Sequence, residues 1–131
     1  MSMKWDDTGY KNPLARARGL GAAGGAVENW IKLRVTAIAN ALLAVWFIYF
    51  LHKAVGAGHA EFVALLSEPV HAIAMILFIL SVFTHAALGC REIVEDYFHH
   101  EGLKIAKLVG IYLFFTAAGI ACVFSVLKIA L

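Results

Sequence analysis

Residues Pro69–Cys90 read PVHAIAMILFILSVFTHAALGC, 22 positions without an Asp, Glu, Lys or Arg. At 1.5 Å per residue a helix of that length covers about 33 Å, enough to cross a ~30 Å hydrocarbon core. Proline at the head of the run suits the first turn of a helix, where its missing N–H is a donor that would have no partner within the helix anyway. The whole chain agrees with this reading. Its 131 residues are 62% hydrophobic and 15% charged, with a mean hydropathy of +0.79, outside the usual composition of a soluble domain.

Two further apolar runs flank this one. Val35–Leu51 has 17 residues between Lys32 and Arg34 on one side and His52 and Lys53 on the other. Alone it reaches only ~25 Å, and the long stems of the flanking cations must snorkel to complete the crossing. Leu108–Leu127 adds 20 residues, preceded by Lys104 and Lys107 and followed by Lys128, with Gly110 and Gly119 predicting close helix approach. The expected fold is therefore an all-α membrane protein with three transmembrane helices, at about 35–51, 69–90 and 108–127, within a membrane domain covering 34–131. Residues 1–33 are polar and Gly-rich, with Arg16 and Arg18, and read as an arm: a positive anchor or a docking segment. Trp30 is expected at headgroup level. Between the first two runs, Phe62–Leu66 is expected to lie along the membrane surface.

Three crossings put the two termini on opposite sides, and the cations orient them. Six lie in the N-terminal arm through Arg34 and three in Arg91–Lys107, against one (Lys53) after the first run and one (Lys128) at the C-terminus. The positive-inside rule places the N-terminus and Arg91–Lys107 on the cytoplasmic side. Met1–Tyr10 has neither the apolar core of a secretory signal nor the Arg-rich, acid-poor character of a transit peptide. A bacterial inner membrane is the expected location, ahead of a mitochondrial one. A dispersed net charge of +2 argues against nucleic acid, with membrane lipid as the surroundings. Cys90 and Cys122 lie in or beside apolar runs and read as small hydrophobes, with no disulfide or metal-type spacing.

The chemistry-bearing residues cluster from His85 to His100. If the second helix continues past the bilayer boundary, Gly89, Glu92 and Asp96, at offsets of 4, 7 and 11, share a face with His85. An imidazole in an apolar span is costly unless paired or bound. His85 is therefore either a haem or metal ligand or the partner in an interhelical hydrogen bond. Gly89, one turn away, would leave room for a flat macrocycle or a neighbouring helix. Asp96 and Tyr97 read either as a solvated helix end or as a proton donor and a hydrogen-bond donor facing a quinone carbonyl, with His99 and His100 feeding protons or simply exposed. Arg34 reads as a snorkelling anchor or as a guanidinium for a carboxylate or propionate. His71, close to Pro69, is expected to be a solvated interfacial imidazole.

Arg34-Val-Thr36-Ala37 after a Gly-rich arm, His85-x3-Gly89 in the second span and Asp96-Tyr97 seven residues after that glycine resemble, in order and spacing, the hydrophobic membrane anchor subunit of succinate dehydrogenase, respiratory complex II. The resemblance covers roughly residues 26–128. It implies that the three helices form half of a heterodimeric anchor bundle, paired with a cytochrome b556 anchor subunit and docked to the iron–sulfur and flavoprotein subunits. It implies further that His85 is an axial ligand of a haem b shared with that partner, that Arg34 lies near the haem propionates, and that Tyr97 and Asp96 serve ubiquinone. The reaction served would be electron transfer from succinate to quinone, with catalysis by this chain only as a subunit. The anchor of a quinol:fumarate reductase is the same architecture run in reverse. From another class, a small transporter component relaying protons through His85 and Asp96 is the rival reading.

Overall fold

The computed structural model describes residues 23–98 and 100–131; most of the expected arm, and His99, lie outside the described residues. Among the described residues four helices follow one another: α1 (Ala23–Ala54), α2 (His59–Ser67), α3 (Pro69–Tyr97) and α4 (Glu101–Ala130). The chain divides into two compact units, 1–31 and 32–131. The first contributes, from Ala23, the opening turns of α1; the second holds everything that follows.

The helix boundaries have local causes. α1 stops at Gly56, whose φ of +83° lies in the left-handed region that a side chain disfavours. α2 starts where the carboxylate of Glu61 accepts from the Gly58 N–H at 3.1 Å, satisfying a donor ahead of the first turn. Glu68, extended at φ −62° and ψ 125°, separates α2 from α3, and Pro69 opens α3 as expected. α3 runs unbroken to Tyr97 and closes with the Phe98 N–H on the Val94 carbonyl at 3.1 Å.

α1, α3 and α4 are each long and apolar enough to cross a membrane, over Val27–Ala54, Pro69–Tyr97 and Glu101–Ala130, with mean hydropathies of 1.8, 2.2 and 2.1 in their most apolar windows. The helices are longer than the apolar runs. Lys32, Arg34, Lys104 and Lys107 interrupt hydropathy but not helix, because straight-chain cations are good helix formers. Residues 23–33, expected as part of an arm, are accordingly helical.

α3 and α4 pack along each other. A Cβ on Gly119 would stand 3.7 Å from Cβ and Cγ of Phe83, whose ring meets Phe115 edge-on at 6.1 Å. Gly110 has no neighbour within 4 Å of such a Cβ, so of the two glycines only Gly119 serves close approach. α1 meets α3 through large side chains, Phe47 on Phe78 at 5.0 Å among them. A small core of Phe50, Leu66 and Val126 joins α1, α2 and α4, with Trp46, Phe62, Met75 and Ile79 around it. Leu66, in the patch expected along the membrane surface, is buried in this core. The reading of His71 is corrected: at 7% exposed it is buried, between the rings of Trp46 and Phe50. Sequence distance from Pro69 said nothing about the end of α1 closing over it.

Most of the long helices' surface stays uncovered by the chain itself. Leu42, Val45, Ile48, Leu113, Ile120 and Phe124 are all more than 60% exposed. In water this would be an aggregation surface; in a bilayer it faces lipid or partner helices.

Candidate functional site

The meeting of α1 and α3 near the His85 level is polar. The hydroxyl of Thr36 lies 2.9 Å from Nδ1 of His85, and also 2.8 Å from the Lys32 carbonyl and 3.1 Å from the Leu33 carbonyl of its own helix. Ser81, one turn before His85, donates to the Thr36 carbonyl at 3.4 Å. Two side chains of α3 thus clasp one residue of α1. Nε2 of His85 has no hydrogen-bond partner among the described residues, and the space beside Gly89, one turn on, is open to at least 4 Å. The interhelical bond and the ligand reading of His85 are therefore compatible, since each uses a different ring nitrogen.

Because α3 continues to Tyr97, Gly89, Glu92 and Asp96 follow His85 on one helix, as the spacing predicts. Asp96 is about 16 Å from His85 along the axis, so the two do not touch. Asp96 and Tyr97 are exposed, Tyr97 at 76%, and His100 is exposed beside them. Arg34 is an exposed residue of α1 two positions before Thr36.

Behind this exposed end, contacts that the sequence reading did not anticipate fix the geometry. Arg91 Nε donates to Glu95 Oε1 at 2.7 Å, and the Tyr112 hydroxyl of α4 is a second partner of the guanidinium. Lys104 Nζ donates to the Glu95 carbonyl at 3.3 Å, and Lys107 Nζ stands 3.8 Å over the ring of Phe98. These contacts tie the last turns of α3 to the first turns of α4. The i,i+4 spacing of Arg91 and Glu95 was a readable signal, whereas Tyr112 joins them only through the antiparallel pairing of the helices. Between α3 and α4 lies an apolar cavity of about 280 Å³, with Phe83, Thr84, Leu88, Tyr112 and Thr116 on its walls.

Residues 8–127 match the family model described as the succinate dehydrogenase/fumarate reductase transmembrane subunit. A succinate dehydrogenase hydrophobic membrane anchor subunit of Rickettsia conorii is 29% identical over 106 residues, 80% of this chain and 84% of that one. The protein of the same name from Paracoccus denitrificans is 26% identical over 122 residues, 93% of this chain and 94% of that one. No solved structure matches. With its three membrane-length helices and a family match over nearly its whole length, the chain belongs to the succinate dehydrogenase/fumarate reductase transmembrane subunit family.

Proposed function

We propose that this protein is the hydrophobic membrane anchor of a succinate:quinone oxidoreductase, holding an iron–sulfur and a flavoprotein subunit at the membrane and sharing a haem b and a ubiquinone site with a cytochrome b556 partner. The observation that carries the site is His85: one ring nitrogen is engaged by Thr36, the other has no hydrogen-bond partner among the described residues, and Gly89 leaves open space one turn away. That donor fits a haem iron, which Nε2 of His85 would hold together with a ligand from the partner subunit. Bound there, a haem supplies one-electron redox chemistry within the membrane.

The remaining chemistry belongs to this chain's own side chains. Quinone reduction takes up two electrons and two protons, so the carbonyls need donors and a route from water. Tyr97 offers a phenolic O–H to one carbonyl, and Asp96 beside it holds or passes a proton at its carboxyl oxygen. Their exposure on the isolated chain suits a site whose other wall is built by partner subunits. Arg34, on α1, suits a propionate or a lipid phosphate equally in charge. The cations orient this end toward the cytoplasm of a bacterial cell, where soluble catalytic subunits would dock. The relatives described above are named for succinate dehydrogenase, which favours succinate oxidation over fumarate reduction.

The test is a reduced-minus-oxidised spectrum of the detergent-solubilised chain with its co-purifying partners, beside a gel. A b-type haem accompanied by flavin and iron–sulfur subunits supports the proposal, and His85→Ala should abolish or alter that spectrum. An unchanged spectrum in His85→Ala sinks the ligand role; absence of large partners sinks the anchor role.

A further inference from the structure

The hydroxyl of Thr36 faces three groups and has one proton to give. Carbonyl oxygens of Lys32 and Leu33, at 2.8 and 3.1 Å, can only accept. A threonine inside a helix commonly gives its proton to the carbonyl three or four residues back, and both are present here. Were the proton instead turned toward His85, the threonine oxygen would stand against two carbonyl oxygens at hydrogen-bond distance with no proton between them. The proton therefore goes to the backbone of α1, and the lone pairs of the oxygen face Nδ1 of His85 at 2.9 Å. For that contact to be a hydrogen bond, the imidazole must carry its proton on Nδ1.

A neutral imidazole protonated on Nδ1 presents its lone pair on Nε2. We propose that Thr36 is a positioning residue that fixes the tautomer and ring orientation of His85, so that Nε2 is the nitrogen presented to a metal, and that its hydrogen bond raises the basicity of that nitrogen. This rests on the haem-ligand reading of His85 and extends it to a second helix. Ser81 supports the arrangement from the other side by donating to the Thr36 carbonyl, holding α1 and α3 at the separation the contact needs. The oxidised iron gains more than the reduced iron from a more electron-rich imidazole, so the clasp holds the potential down.

The experiment uses the whole solubilised complex carrying Thr36→Val, which keeps the shape and removes the acceptor, and Thr36→Ser, which restores it. The readouts are haem content, midpoint potential and the low-spin EPR signal of the oxidised haem. Outer-shell partners typically change metal affinity 10- to 100-fold. A tenfold loss confined to the oxidised form raises the potential by about 59 mV for one electron. Expected are an upward shift of that order in Thr36→Val with haem retained, and wild-type behaviour in Thr36→Ser. A wild-type potential and EPR signal in Thr36→Val overturns the proposal. If Thr36→Val fails to assemble, pulsed EPR on the wild-type complex decides through the remote imidazole nitrogen. Coupling typical of an N–H bonded to oxygen supports the proposal, and a remote nitrogen without a proton overturns it. His85→Ala separates the two claims: haem lost there with Thr36→Val unchanged leaves the ligand role standing and removes only the role of Thr36.

Discussion

Trp46 of α1 and His71 of α3 lie with ring centroids 5.9 Å apart, and neither the indole Nε1 nor the imidazole Nδ1 has a hydrogen-bond partner among the described residues. The other nitrogen of His71 reaches Glu68 at 3.4 Å, a long contact to a carboxylate that is 64% exposed. His71 therefore contributes as an aromatic plate between Trp46 and Phe50 more than as a polar group, and an unsatisfied buried nitrogen costs about 1–3 kcal/mol. His71→Phe should keep the stacking, remove that cost and leave the complex at least as stable as wild type. His71→Ala should open a cavity and lose on the order of 2–5 kcal/mol. Thermal unfolding of the purified complex measures both, and a His71→Phe protein less stable than His71→Ala would reverse the assignment.

Gly119 and Gly110 make a matched pair for the α3–α4 contact. A Cβ at Gly119 meets Phe83 at 3.7 Å, ordinary van der Waals contact, so Gly119→Ala should be tolerated. Gly119→Leu extends further toward Phe83 but has the cavity between α3 and α4 beside it, and should cost at most about 1–3 kcal/mol. At Gly110 nothing lies within 4 Å, and Gly110→Ala should gain up to ~1 kcal/mol through helix propensity alone. Yield and melting temperature of the assembled complex read these differences. Equal damage from leucine at both positions would argue that a partner subunit, not α3, sets the constraint.

Tyr97 ends α3 with 76% of its surface exposed, so losing its hydroxyl disturbs little packing within this chain. A hydrogen bond to a quinone carbonyl that strengthens as charge develops is worth about 1–3 kcal/mol. Tyr97→Phe should then slow succinate-driven quinone reduction roughly ten- to a hundredfold. Succinate oxidation with an artificial dye acceptor should be unaffected. Parallel loss in both assays would mean failed assembly, and loss in neither would remove Tyr97 from the quinone site.

What was legible in the sequence follows from which forces are local. The run Pro69–Cys90 and the cations around it carry span number because membrane insertion reads hydropathy residue by residue. Helix ends were less legible: Lys32 and Lys104 stop an apolar run without stopping a helix, and so α1 and α4 exceed their runs. The shared face of His85, Gly89 and Asp96 needed only helical periodicity. The partner of His85 did not: Thr36 lies 49 positions away, and only the pairing of α1 with α3 brings it to Nδ1. His71 failed for the same reason, since the residues that bury it, Trp46 and Phe50, belong to another helix.

The orientation inferred from charge can be read directly. Gly58, in the turn between α1 and α2, and His100, between α3 and α4, are both exposed and stand at loops separated by the whole of α3. A Cβ at Gly58 meets nothing within 4 Å, and its φ of −68° suits any side chain, so a cysteine there is harmless to the fold. In a background with Cys90 and Cys122 replaced, Gly58→Cys should react with an impermeant maleimide added outside intact cells. His100→Cys should react only after the membrane is opened. Arg91, Lys104 and Lys107 surround the second loop, whereas Lys53 alone adjoins the first, and cations are retained on the side from which the helices insert. Reversed labelling would sink the assigned orientation while keeping three crossings. Labelling of both positions from one side would mean that α3 does not cross the membrane.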